Sequence, residues 1–133
     1  ADPQVAEFVG VENVIPGVIA NSNEGLADIQ CGNHHLEVIS DLTAGMAVYV
    51  CIRPEDITLL PRGDAGVSSA RNHVTCKVKQ VLPKGPLARV HLENDNLHLV
   101  ALITRHSLQE MSLAVGMEVI ASFKASTAYL LPR

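Results

Sequence analysis

The chain repeats itself, and an internal repeat confines it to folds that can be built twice from one pattern. Gly45-Met46 aligns with Gly116-Met117, and the same offset of 71 residues pairs Arg53 with Lys124 and Leu59-Leu60 with Leu130-Leu131. Nearer the start the offset is 59, from Asn13 to Asn72, so the second half carries about a dozen extra residues around Thr104 to Leu113. Within each half the dominant signal has period two. Ala47-Tyr49-Cys51 alternates with Val48-Val50-Ile52, and Val119-Ala121-Phe123 with Ile120-Ser122-Lys124, both segments rich in β-branched residues. Residues rich in Gly, Asn, Asp and Pro at Asn23-Glu24-Gly25, Cys31-Gly32-Asn33, Lys84-Gly85-Pro86 and Asn94-Asp95-Asn96 read as tight reversals between antiparallel strands.

The pattern predicts an all-β chain: two OB-like, five-stranded β-barrel units with one or two short helices. The first unit spans 1–60 and opens with a linker helix that starts at Asp2-Pro3 and stops near Gly10. The second spans 61–133, after a connector, Pro61 to Ser69, rich in Gly, Ser and Pro. The insertion reads as a helix, with Ser107 and Glu110 at capping-box spacing and Leu108, Met111 and Leu113 as its apolar stripe. Units this small bury little apolar surface alone and leave strand edges open, so a shared interface and a homodimer are expected.

Composition removes several function classes. At 133 residues and 14.2 kDa the chain is too short for an ATPase engine or a dinucleotide-binding enzyme. The net charge of −4 and four scattered aromatics argue against nucleic acid as a partner. The charge is unevenly divided: residues 1–60 hold nine acids and one cation, Arg53, for −8, whereas residues 61–133 hold nine cations and five acids, for +4. An anion site therefore belongs in the second half. Cys31, Cys51 and Cys76 form no CxxC, which indicates neither a disulfide framework nor a thiolate zinc site, and each lies in an apolar stretch as a small buried hydrophobe. The six histidines fall mostly on alternating strand patterns with no evident carboxylate partner, so no metal site is expected. No basic segment followed by an apolar core opens the chain, and the cytoplasm is the expected compartment.

Three segments carry a resemblance. Ser69-Ala70-Arg71-Asn72, then Ile103-Thr104-Arg105-His106-Ser107, then Phe123-Lys124-Ala125-Ser126 are similar in order and spacing to the molybdate-binding Mop or TOBE module. The segments Val5 to Gly17 and Ile52-Arg53-Pro54-Glu55-Asp56-Ile57 resemble the region that follows the nucleotide-binding domain in importer ATPase subunits. Together they imply the C-terminal regulatory portion of the ATP-binding subunit of an ABC importer for molybdate or tungstate. That portion is not an enzyme and needs no cofactor, since the chain has no GxxxxGK[ST] phosphate loop. The implied partners are the oxyanion, a second copy, the ATPase domain of the same subunit and, through it, the membrane subunits at the inner face of the cell membrane. Cys76 stands where the family often has glycine.

Molybdate and tungstate are tetrahedral dianions whose metal is saturated by oxo groups, so a protein binds them with donors to the outer oxygens. The resemblance carries over Ser69, Arg71, Thr104, Ser107, Lys124 and Ser126 as a site composed from two subunits. Arg71 offers a charge-assisted fork, Lys124 a point charge, and the hydroxyls neutral donors; the amides at the start of the inserted helix would add to them. Anion binding there implies a feedback switch that holds the ATPase domains apart. The alternatives are a free-standing cytoplasmic molybdate store and a dimerisation domain without ligand.

Overall fold

The computed structural model describes residues 13–63 and 72–133, so the expected N-terminal helix, most of the connector, Ser69 and Arg71 lie outside the described residues. Ten strands fall where the period-two segments are: β1 Asn13–Asn23, β2 Leu26–Cys31, β3 His34–Ile39, β4 Ala47–Ile52, β5 Thr58–Pro61, β6 Asn72–Lys84, β7 Leu87–Asn94, β8 Leu97–Thr104, β9 Glu118–Phe123 and β10 Tyr129–Pro132. A 3-10 turn, Pro54–Asp56, precedes β5, and one short helix, α1 Arg105–Glu110, occupies the insertion. All strand pairs are antiparallel, and each hairpin closes over two residues at the reversals read from composition.

The strands form two five-stranded sheets, ordered β10-β4-β1-β2-β3 and β5-β9-β6-β7-β8. Each sheet takes its outer strand from the other half of the chain. Thr58 of β5 pairs with Ser122 of β9, and Tyr129 of β10 pairs with Cys51 of β4, the same contact at an offset of 71. A cut after residue 60 therefore separates two sequence repeats but not two sheets. The edges of each sheet approach one another: β10 contacts β3 in the first, and β5 contacts β8 in the second, giving the partly closed curl of a small barrel.

Long, bent first strands make that curl possible. β1 pairs with β4 over Asn13–Val18 and with β2 over Val18–Asn23, with an irregularity between Ile19 and Asn21. β6 repeats this, with its irregularity between Val78 and Gln80. A bulge bends and twists its strand at one point, so each first strand can serve both sides of its sheet. Tight turns lock onto the same two places. Ile19 N–H donates to Met46 C=O (2.9 Å) and Gly45 N–H to Ile19 C=O (2.7 Å); Val78 N–H donates to Met117 C=O and Gly116 N–H to Val78 C=O, both at 2.8 Å. Gly45 and Gly116 hold φ near +92° and +93°, a conformation that explains why the repeated dipeptide begins with glycine.

Buried residues of both sheets form one continuous core, including Ile29, Leu36, Val48 and Val50 from the first and Val78, Val90, Leu99 and Phe123 from the second. Cys31 and Cys76 are buried in it, and Cys51 is buried as well. Burial pushes the Cys31 and Cys76 thiols up to about 11, so both are protonated near neutrality and are packing groups rather than nucleophiles. Gly17 of β1 is the counterpart of Cys76 of β6 at the offset of 59. A Cβ at Gly17 would lie 2.6 Å from Ile29 Cγ2, 2.8 Å from Cys31 Sγ and 3.0 Å from Gln30 O. The counterpart of Cys31 is Asn94, whose amide donates to Thr75 C=O (2.6 Å). Gly17→Ala is therefore expected to destabilise the chain by about 1–3 kcal/mol, because β2 backbone and packed side chains must shift. Chemical denaturation reads this as a lower midpoint at unchanged slope.

Candidate functional site

Two asparagines, one at the start of each repeat, tie the sheets together. Asn13 Nδ2 donates to Ile52 C=O (3.1 Å) and Val100 C=O (3.0 Å), while Val100 N–H donates to Asn13 Oδ1 (2.7 Å). Asn72 Nδ2 donates to Glu37 C=O (2.9 Å) and Phe123 C=O (3.4 Å), while Glu37 N–H donates to Asn72 Oδ1 (2.7 Å). Each buried amide thus satisfies both backbone groups of one residue on an edge strand of the opposite sheet. The sequence marks these asparagines as repeat positions, and Asn72 also as part of the first resemblance motif, without showing what they bond to. Their equal placement was the signal for this role.

Asn72 also fixes the place of the predicted cation. It pairs with Phe123, the residue immediately before Lys124. The chain then turns: Thr127 N–H (3.1 Å) and Thr127 Oγ1 (2.9 Å) both donate to Lys124 C=O. Ala125 is buried, and its carbonyl accepts from Ile39 N–H at 3.1 Å. The backbone of the turn is used inward, and the side chains of Lys124 and Ser126 are left exposed. Among the described residues Lys124 has no ion-pair partner, unlike Arg62, which meets Glu118 at 2.6 Å, or Lys79, which lies 3.7 Å from Glu93.

Thr104 and Ser107 lie elsewhere. Thr104 ends β8 and pairs with Leu87, next to the C-terminal end of β6, whereas Lys124 follows the strand paired to the N-terminal end of β6. Thr104, rather than the expected Ser107, is the N-cap of α1: its Oγ1 accepts from Ser107 N–H at 3.0 Å. Both residues bear hydroxyls three positions apart, so spacing alone does not separate cap from capped. Thr104 Oγ1 also donates to Ser107 Oγ (3.0 Å), which leaves the Ser107 proton for an outside acceptor. The two hydroxyls line a groove of about 470 Å³ with Thr58, Met111, Glu55 and Glu110. Sequence reading did not connect those two carboxylates with the site.

The structure thus groups Thr104 with Ser107 at the end of β8, and Lys124 with Ser126 in the turn after β9; β5, whose Thr58 pairs with Ser122 and lines the groove of Thr104 and Ser107, stands between the two groups. Three histidines gain carboxylate neighbours that the strand patterns did not reveal: His35 with Asp28 (3.2 Å), His98 with Glu93 (3.7 Å) and His106 with Glu110 (3.0 Å). All three pairs are exposed and contribute little to stability. Among the described residues no group of three or more His, Cys, Asp or Glu could hold a metal ion, and no helix is long and apolar enough to cross a membrane.

Two interlocked, partly closed five-stranded sheets define a tandem module of small β-barrel type. Residues 68–128 match the TOBE domain. The chain is homologous to the C-terminal region of molybdate/tungstate import ATP-binding proteins. It is 38% identical over 129 residues to WtpC of Pyrococcus horikoshii, covering 97% of this chain, and 37% identical over 125 residues to WtpC of Pyrococcus abyssi, covering 94%. The chain spans only about a third of the length of these relatives, 35% and 34%. Among solved structures, the cytoplasmic molybdate-binding protein ModG, crystallised with molybdate bound, superimposes with a TM-score of 0.83 at 25% identity. That match covers 89% of this chain and 94% of ModG.

Proposed function

We propose that this chain is the oxyanion-sensing regulatory module of a molybdate or tungstate importer, itself non-catalytic and acting in the cytoplasm at the membrane-bound transporter. The observation that carries the reading is the alignment of 97% of the chain with import ATP-binding proteins for these ions. In this reading Ser69, Arg71, Lys124 and Ser126 of one copy and Thr104 and Ser107 of a second copy bind the ion together. The placement of these residues on two different elements, the end of β8 with α1 and the turn after β9, fits two half-sites that a second copy completes. An ion held this way binds only the associated form, so it stabilises the dimer by mass action and favours one arrangement of the attached ATPase portions.

Titration of the purified chain with molybdate, tungstate and sulfate tests the reading. Molybdate or tungstate is expected to bind, to shift the chain towards a dimer in sedimentation and, at 100 times its Kd, to stabilise the fold by about 2.7 kcal/mol. Absence of heat and of thermal stabilisation with all three ions would overturn it. In the assembled transporter the bound ion is expected to lower ATP hydrolysis. The fit to nearly the whole of ModG favours a second reading, a free-standing molybdate store. A store is distinguished by a larger ring in sedimentation and by several ions per chain.

A further inference from the structure

The two halves present the same turn with different chemistry. Lys124-Ala125-Ser126-Thr127 corresponds to Arg53-Pro54-Glu55-Asp56 at the offset of 71. The backbones agree: Thr127 N–H donates to Lys124 C=O at 3.1 Å, and Asp56 N–H donates to Arg53 C=O at 3.0 Å. Ala125 and Pro54 are both buried at the second position, and Ser126 and Glu55 are both exposed at the third. A carboxylate therefore stands in the first half where the second half has a neutral hydroxyl. That carboxylate, Glu55, lines the same groove as Thr104 and Ser107, and Glu110 lines it too. Among the described residues no lysine or arginine lines this groove, although His106 lies 3.0 Å from Glu110.

We propose that Glu55 and Glu110 are affinity-setting residues, two negative charges on the donor side of the oxyanion site that hold its affinity below what its hydroxyls and cations would otherwise reach. The proposal rests on the reading that Thr104 and Ser107 contribute donors to a bound dianion. One carboxylate about 8 Å from a dianion raises Kd on the order of fivefold even at the dielectric of water. The penalty weakens with salt, because the Debye length falls from about 30 Å at 0.01 M to about 3 Å at 1 M. A carboxylate pair so placed keeps a sensor responsive: it releases the ion when supply falls.

Glu55→Ser places in the first turn the residue that the second turn already carries on the same backbone, and Glu110→Gln changes an exposed helix position. Both variants are expected to keep the wild-type thermal midpoint within about 2 °C. Calorimetric titration with molybdate at low and at high salt is then made on the wild type, each single variant and the double variant. The double variant is expected to bind at least tenfold tighter at low salt, with the gap shrinking at high salt. A Kd within twofold of wild type at low salt overturns the proposal while leaving the sensor reading intact. A gap that persists unchanged at high salt also overturns it, because a rearranged pocket and not charge would then be responsible. If the wild type binds nothing, the sensor reading fails first; binding gained by the double variant would still uphold the two carboxylates as the obstacle, and its absence would overturn both.

Discussion

Replacing Asn72 with alanine is expected to cost on the order of 3 kcal/mol of folding free energy, and replacing Asn13 a similar amount. Each side chain makes three hydrogen bonds to main-chain groups, at 2.7–3.1 Å for Asn13 and 2.7–3.4 Å for Asn72. Asn13 and Asn72 are only 7% and 3% exposed, so water cannot replace the lost partners without entering the sheet junction. A buried main-chain group left without a partner costs about 1–3 kcal/mol. The thermal midpoint should fall by about 10 °C or more. Aspartate should not rescue either position, because it keeps the acceptor for Val100 or Glu37 N–H but turns the donor into a charge facing carbonyl oxygens. The two sites belong to opposite ends of a pseudo-two-fold pair and share no hydrogen-bond partner, so the double variant should approach the sum of the singles. Singles that cost less than about 1 kcal/mol would show that the amides accompany the sheet junction without holding it.

Much of this fold could be read directly from the chain, because each element bears its own local pattern. β4 and β9 are runs rich in β-branched residues, the reversals carry turn residues, and the change of offset from 59 to 71 marks the place of α1. The strand exchange had no such signature. Leu59-Leu60 and Leu130-Leu131 present the same apolar surface whichever sheet receives them, so pattern cannot say that β5 joins β9 and β10 joins β4. The cross-links were hidden for a related reason. An asparagine at the head of a strand reads as part of a turn until the backbone it reaches, 87 residues away for Asn13 and Val100, is known. At the candidate site the residue types were legible and their grouping was not. Spacing sets Lys124 twenty residues after Thr104, but only the strand order shows that β5, whose Thr58 lines the groove of Thr104 and Ser107, lies beside β9, which leads into Lys124.

Removal of the Lys124 charge gives the sharpest test of the proposed binding site, because the turn that carries it does not depend on its side chain. Its carbonyl is held by Thr127, the next carbonyl is held by Ile39 N–H, and the side chain reaches outward without an ion-pair partner among the described residues. Lys124→Ala is therefore expected to leave the thermal midpoint of the unliganded chain within about 2 °C. Molybdate affinity should fall about 10- to 100-fold, the loss of one charge-assisted hydrogen bond worth about 1.5–3 kcal/mol. Lys124→Arg should recover part of that loss, since it restores the charge on a flat fork in place of a compact ammonium. Arg71→Ala, preceding the asparagine that pairs with Phe123, should weaken the ion by a comparable factor. Loss of affinity in both variants with stability retained would place the anion at this end of the second sheet. A Kd within twofold of wild type for Lys124→Ala would move the ion away from the turn, and with it the reason for the cation excess of the second half.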